Sequence, residues 1–148
     1  MQNQPYEEEP SAYTEGFLKQ DYPRVLQSLQ EDPTQATLVF GERNTTLLHA
    51  AAYDGQLSIV QKLISLGADL NVREISGRTP LHHAANHGHI NVIDALVTAG
   101  ADLEARDNTG YTPLMWAKIS RAGSTEQKDD LVKKLLELGA REQAEGER

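Results

Sequence analysis

The sequence predicts an all-α solenoid of about four helix-turn-helix units, and three observations support this fold class. The first is a 33-residue period, at which Gly77–Ala85 (GRTPLHHAA) returns as Gly110–Ala117 (GYTPLMWA) and is preceded by a weaker copy at Thr46–Ala52 (TLLHAAA). The second is a marker with the same period, Leu66–Leu70 (LGADL) and Ala99–Leu103 (AGADL). The third is the helical spacing of the apolar residues between these markers. Self-similarity of this kind is typical of stacked units that bury their apolar faces against one another.

The first unit is less regular than the others. Residues 1–10 are polar and acidic, and we expect a flexible N-terminal tail there. Residues 11–40 are predicted to form an N-terminal capping unit, in which Ser11 is a candidate helix N-cap. A second helix is expected to begin near Pro23 and to end at Asp32-Pro33, because the residue before a proline disfavours the helical conformation.

Three clearer units follow, at residues 41–73, 74–106 and 107–141. In the middle unit Thr79 can cap the first helix, and Pro80 occupies the first helical position, where its missing N–H is harmless. Gly88 and Gly100 are expected to end the two helices with left-handed backbone conformations.

The third unit is longer than the second. Thr79 and Gly100 are 21 residues apart, whereas Thr112 and Gly139 are 27 apart, which places a six-residue insertion near 120–127. Insertions in repeat arrays map to loops, so we expect a longer loop between the two helices, and its role in binding stays open. A flexible tail is predicted at 142–148.

Composition excludes several function classes. The chain has 148 residues, and 14 Lys and Arg against 22 Asp and Glu give a formal charge of −8, which disfavours nucleic-acid binding. It contains no cysteine, which excludes disulfides and thiolate sites. The N-terminus does not resemble a signal peptide, and no apolar run reaches the ~20 residues of a membrane helix. These features predict a cytoplasmic protein, with an exported form still open if a leader had been removed.

The repeated motif resembles that of a known family. The middle unit is similar to the ankyrin repeat. It contains Thr79-Pro80-Leu81-His82 followed by two alanines, then Gly88-His89, an apolar helix and Gly100-Ala101-Asp102. The resemblance is strong from about Asn44 to Ala140 and weak over 11–40. It implies a right-curving stack of helix pairs with β-turn fingers on one side. Family members bind proteins through the finger tips and the concave face of the first helices, and are not enzymes.

The chain departs from the family pattern at both ends. Leu47 stands where later units have proline, and Asn44 where they have the turn glycine, so the first turn is expected to be looser. In the last unit Met115 replaces the helix-start histidine, Lys118 replaces an alanine and Arg141 replaces the aspartate. We therefore interpret the last unit as a C-terminal cap.

The resemblance also implies which positions contact a partner. The finger tips correspond to Glu42, Arg43, Thr45, Ile75, Ser76, Arg78, Asn108, Thr109 and Tyr111, and the concave helix face to Tyr53, Asp54, Asn86, His87 and Ile119. Among them, Ile75, Arg78 and Tyr111 form the aliphatic, arginine and aromatic set that dominates binding energy at interfaces.

Several residues invite other interpretations. His83 and His87 lie one helical turn apart and could face one metal ion, but no third ligand stands at motif spacing. His49 and His82 match the family's structural histidine, whose imidazole hydrogen-bonds the turn backbone, and His89 matches its loop histidine.

Trp116 is expected to pack between the last two units, with a ligand anchor as the alternative. Asn71 and its neighbours resemble the sequence that asparaginyl hydroxylases accept in ankyrin repeats, although a turn-stabilising side chain explains it as well. No nucleophile elbow or phosphate loop is found, so we predict no catalytic, cofactor-binding or metal-binding residues.

The sequence thus predicts a monomeric module that binds another protein, either as an adaptor or as a small inhibitor or immunity-type protein. The acidic balance favours a partner with a basic patch. The alternatives are a structural or metal-binding protein that uses His83 and His87, and a substrate of an asparaginyl hydroxylase.

Overall fold

A computed structural model describes residues 20–142 of the chain. Helix α1 spans Tyr22–Glu31, a 3₁₀ helix spans Pro33–Thr37, and strands β1 (Val39–Phe40) and β2 (Thr45–Thr46) follow. The other helices are α2 (Leu47–Asp54), α3 (Leu57–Ser65), α4 (Pro80–Asn86), α5 (Ile90–Thr98), α6 (Pro113–Ile119) and α7 (Thr125–Glu137). The predicted N-terminal tail, the helix start at Ser11 and residues 143–148 lie outside the described residues.

The helix pairs stack into one core. Inner helices α2, α4 and α6 pack on one another in chain order, and outer helices α3 and α5 pack behind them, with α7 closing the row. One buried apolar cluster contains Ala84 from α4, Leu96 from α5 and Leu114 from α6. Buried alanines such as Ala51 and Ala84 let the inner helices approach closely. The predicted all-α solenoid is confirmed, and among the described residues no helix combines the length and apolarity needed to cross a membrane.

A histidine joins each of the first two inner helices, α2 and α4, to the next unit. The backbone N–H of Thr46 donates to Nδ1 of His49 (3.1 Å), and that of Thr79 to Nδ1 of His82 (3.0 Å), in two capping boxes. With Nδ1 accepting, Nε2 carries the proton, and it donates to the carbonyl of Arg78 (3.0 Å) or Tyr111 (2.8 Å) in the following unit. These histidines therefore satisfy turn groups of their own unit and of the next.

The last inner helix lacks this histidine. Met115 occupies the position, and only the Thr112 side chain caps the helix, accepting from the Met115 N–H (3.3 Å). Because no further unit follows α7 in the described residues, a histidine there would have no carbonyl to reach. The departure at Met115 thus leaves no polar group unpaired across a unit boundary within residues 20–142.

The loop histidine His89 links two units as well. Its Nε2 lies 2.8 Å from the Tyr53 carbonyl oxygen of the unit before, and its ring covers Gly55. Gly55 has φ +70°, and a Cβ there would lie 2.5 Å from Nδ1 of His89. Glycine is required at this position both for its left-handed backbone and for the close approach of the ring.

The first turn keeps the backbone conformation of the later fingers. Strands β1 and β2 pair antiparallel, with Val39 opposite Thr46 and Phe40 opposite Thr45. Asn44 adopts φ +54°, the left-handed conformation that the glycines take in later fingers, and asparagine tolerates this conformation better than most residues.

The hydrogen bond that closes the first turn is longer than those of the later turns. The Asn44 N–H donates to the Gly41 carbonyl at 3.3 Å, whereas the N–H groups of Gly77 and Gly110 donate at 2.8 and 2.9 Å in their own turns.

The insertion in the third unit is mostly helical, which corrects the expected loop at 120–127. The connection between α6 and α7 covers 120–124, two residues more than the 87–89 connection, and α7 has 13 residues where α5 has nine. Ser124 caps α7 in a capping box with Gln127. This S-x-x-Q pattern is a local helix-start signal, and it places residues 125–127 in the first turn of α7.

Candidate functional site

Large apolar side chains are exposed on the face where contacts were predicted. Among the described residues seven large hydrophobic side chains are exposed, and four of them are at predicted contact positions: Tyr53 (51%), Ile75 (57%), Tyr111 (39%) and Ile119 (53%). Exposed apolar side chains that cluster on one face mark an interaction surface. Four of the seven exposed side chains are therefore at positions where the family resemblance implies partner contacts.

A first groove lies between the fingers and inner helices of the first two clear units. It encloses about 530 Å³. Ala50 lines it and leaves more space than its equivalents one and two periods later, the larger His83 and Trp116. The groove brings together six predicted contact residues, Arg43, Tyr53, Asp54, Arg78, Asn86 and His87, and the predicted finger-tip residue Thr45.

Aromatic rings form one wall of this first groove. The ring centroids of Tyr53 and His87 are 4.0 Å apart, and those of Tyr53 and His83 are 5.9 Å apart. The pKa of His83 is lowered to about 4, mainly by burial and also by the nearby His49 ring, 5.8 Å away. His83 is therefore neutral near pH 7, and the wall presents uncharged aromatic surface.

A buried carboxylate lies at the base of the second finger. Oε1 of Glu74 accepts hydrogen bonds from the backbone N–H groups of Ser76 (2.9 Å) and Arg78 (3.3 Å), and only 3% of its side chain is exposed. Burial raises the pKa of this carboxyl, but the hydrogen bonds from Arg78 and Ser76 outweigh burial, and the pKa lies below its ordinary value. Oε2 of Glu74 lies 3.5 Å from Nη2 of Arg43.

The third finger has an equivalent carboxylate one period later, at Asp107. Its Oδ1 accepts from the backbone N–H groups of Thr109 (2.9 Å) and Tyr111 (2.9 Å), and its Oδ2 accepts from Nε1 of Trp116 (2.8 Å). Burial raises the pKa of Asp107, but these hydrogen bonds dominate and lower it. Sequence reasoning missed both carboxylates, although each stands three residues before its turn glycine.

Arg78, a predicted contact residue, also packs against the third unit. Its guanidinium carbon lies 4.2 Å from the centroid of the Trp116 ring, and its Nε lies 3.7 Å from Oδ2 of Asp107. A cation over an aromatic face is stabilised by the ring quadrupole. Arg78 thus borders the first groove while its charge is directed towards the third unit.

The fingers are tied to one another. The backbone N–H of Ile75 donates to the carbonyl of Arg43 (2.8 Å), and that of Asn108 donates to the carbonyl of Ser76 (2.9 Å). Nδ2 of Asn108 also donates to the carbonyl of Ile75 (2.9 Å). Asn108, predicted only as a finger-tip contact, therefore also connects the second and third fingers. Ile75, Ser76, Asn108 and Thr109 line neither groove.

A second groove continues the first towards the C-terminus. It encloses about 630 Å³ and is lined by Asn86, His87, Trp116, Ile119, Arg121 and Ala122. Asn86 and His87 border both grooves, so the concave face is continuous. Trp116 is half-buried, and its centroid is 5.5 Å from that of Tyr111. It packs against Arg78 of the preceding unit and also lines the groove, a surface role that the packing interpretation missed.

The residues of the alternative interpretations have other contacts. Among residues 20–142 no group of three or more His, Cys, Asp or Glu residues could hold a metal ion. Asn71 is exposed, and its Oδ1 accepts from the backbone N–H of Asp102 (2.8 Å). The Asn71 side chain therefore stabilises the turn of the following unit.

The comparisons with known proteins agree with this geometry. A family model described as ankyrin repeats (3 copies) matches residues 30–145. No curated protein matches the chain at a significant level. Ankyrin repeats are generally protein–protein interaction modules, and the family is typically non-enzymatic. With three copies matched over most of its length, the chain belongs to the ankyrin-repeat family.

Proposed function

We propose that this protein binds one partner protein with the face formed by its finger tips and its two concave grooves. The single observation that carries the proposal is the set of four exposed apolar side chains, Tyr53, Ile75, Tyr111 and Ile119, on that face. Large aromatic and aliphatic side chains at the centre of an interface contribute most of its binding energy.

The rigidity of the fingers supports the proposal. Backbone hydrogen bonds join Arg43 to Ile75 and Ser76 to Asn108, and buried carboxylates hold the finger bases. Little conformational freedom is lost when such a surface docks, which favours affinity at a modest interface area.

Charge favours a partner with a basic patch. Residues 20–142 contain 16 Asp and Glu against 12 Lys and Arg, so the part of the chain that forms the repeats is itself acidic. Opposite charge steers the encounter of two proteins and improves specificity more than it adds affinity. We propose a monomer in this complex, because the binding face then remains open to the partner.

Two uses fit such a module. As an adaptor it holds a partner for a second protein, and as an inhibitor or immunity-type protein it covers the partner's own active site. The two grooves form one continuous concave surface, which favours the binding of a single partner across both grooves. An activity assay on the captured partner separates the uses, since an inhibitor lowers the partner's activity and an adaptor leaves it unchanged.

Capture of the partner tests the proposal. Tyr53→Ala combined with Ile119→Ala is compared with Leu136→Ala, which removes an exposed leucine (38%) from outer helix α7. Each truncation at a well-packed contact costs about 1–2 kcal/mol, so we expect the double variant to bind at least about tenfold more weakly in titration calorimetry. If the partner binds the double variant as tightly as the wild type but does not bind Leu136→Ala as tightly, the outer face is the binding site.

A further inference from the structure

The first groove contains a buried carboxylate with a weakly held cation. Among the described residues Oε2 of Glu74 has one hydrogen-bond partner, Nη2 of Arg43. The two atoms are 3.5 Å apart, at the outer limit of a hydrogen bond. The Glu74 side chain is 3% exposed, whereas that of Arg43 is 68% exposed. Because the Arg43 guanidinium is mostly in solvent and two backbone N–H groups already stabilise the Glu74 carboxylate, Arg43 can leave Glu74 at small cost.

The other charges of the groove favour a cation in place of Arg43. Asp54 lines the same groove, and its carboxylate accepts a hydrogen bond from the Tyr22 hydroxyl (3.0 Å). Arg78 also lines the groove, but it stacks on Trp116, and its Nε lies 3.7 Å from the Asp107 carboxylate, which partly offsets its charge. Once Arg43 turns into solvent, the groove therefore retains the carboxylates of Glu74 and Asp54 against this one partly offset cation.

The shape of the groove suits a long side chain with a planar head. Ala50 leaves space where the later units have His83 and Trp116, and the Tyr53 and His87 rings form a wall with centroids 4.0 Å apart. Aromatic faces attract guanidinium groups, and the contact of Arg78 with Trp116 shows this pairing elsewhere on the same face.

We infer that the first groove takes an arginine side chain of the partner protein, whose guanidinium replaces Arg43 at the Glu74 carboxylate. The wall formed by the Tyr53 and His87 rings lies along the methylene stem and the guanidinium of this arginine. The inference rests on the proposed function and specifies the partner's chemistry: an arginine that projects from a basic surface.

A ligand titration tests the site without the partner. N-acetyl-L-arginine amide is added at millimolar concentrations to ¹⁵N-labelled protein, and the amide signals of Tyr53, Ser76 and Arg78 are followed by NMR. We expect saturable shifts with the arginine compound and none with N-acetyl-L-citrulline amide, which has nearly the same shape but no charge. Equal shifts with both compounds would overturn the inference.

Two variants give opposite expected results. Arg43→Ala removes the internal competitor, so binding of the arginine compound should tighten about two- to fivefold. Ala50→Trp fills the groove with the residue found two periods later, and saturable binding should be lost. Ile119→Ala, in the second groove, is the matched control and should bind as the wild type does. Circular dichroism melting identifies folded variants, and Ala50→Leu replaces Ala50→Trp if the latter does not fold.

Weaker binding by Arg43→Ala, or unchanged binding by a folded groove-filling variant, would contradict the arginine site. Its failure is distinguishable from that of the proposed function. If the arginine compound shows no saturable binding while partner capture still depends on Tyr53 and Ile119, the binding face stands and the arginine site is wrong. If capture does not depend on those residues, the binding face itself is wrong, whatever the titration gives.

Discussion

The unfolding free energy of this protein should fall between pH 7.5 and pH 5, and His83 should account for much of the loss. His83 titrates near 6.5 in the unfolded chain and at about 4 in the folded one, because burial disfavours its charged form. As the pH falls below 6.5, His83 takes up a proton in the unfolded chain but stays neutral in the folded chain. The stability that neutral His83 contributes is therefore fully present above pH 6.5 and is lost on acidification.

The magnitude follows from the two pKa values. A difference between 6.5 and about 4 corresponds to roughly 3.4 kcal/mol over the whole titration, and to about 2 kcal/mol between pH 7.5 and pH 5. Burial lowers the pKa values of His49, His82 and His87 as well, and their contributions have the same sign. The pKa of Glu74 lies below its ordinary 4.5, so that carboxylate stays charged across this window.

Urea denaturation at pH 7.5 and pH 5.0, followed by circular dichroism, measures the effect. His83→Ala installs the residue found at the equivalent position 50, and we expect it to reduce the pH-dependent loss by about 2 kcal/mol. Asn86→Ala, on the same helix, has no titrating group and should keep the full wild-type loss. If His83→Ala loses as much stability as the wild type over this window, His83 is not the group that links folding to pH.

Three further predictions concern stability at neutral pH. His82→Ala should destabilise the protein by about 2–4 kcal/mol in urea denaturation, because it leaves turn groups of two units unpaired, whereas Met115→Ala should cost less. Gly55→Ala should cost more than Gly67→Ala, because both have positive φ but only Gly55 is covered by a neighbouring ring; equal losses of about 1 kcal/mol would show that backbone strain alone matters. Leu96→Ala should lower the free energy of unfolding by about 2–5 kcal/mol, and a loss near zero would mean that the units do not share one core.

Sequence reasoning recovered the parts of the fold that are local and periodic. Thr79 and Pro80 mark the start of α4, and the left-handed Gly88 follows its end, because capping and backbone conformation depend on neighbouring residues. One local signal was misjudged, because Ser124 starts α7 inside the predicted loop.

A 33-residue period and a helical stripe are visible in one dimension, so the order of the amino acids alone establishes a stack of helix pairs. The resemblance to the ankyrin repeat, and not the period, indicated the positions at which Tyr53, Ile75, Tyr111 and Ile119 are exposed. The folded molecule was needed to show that Arg78 covers Trp116, that Glu74 is buried beside an exposed Arg43, and that two grooves join at His87. Most of these contacts join side chains about one period or more apart. Their distances depend on how closely neighbouring units pack, and no single segment of the chain specifies that.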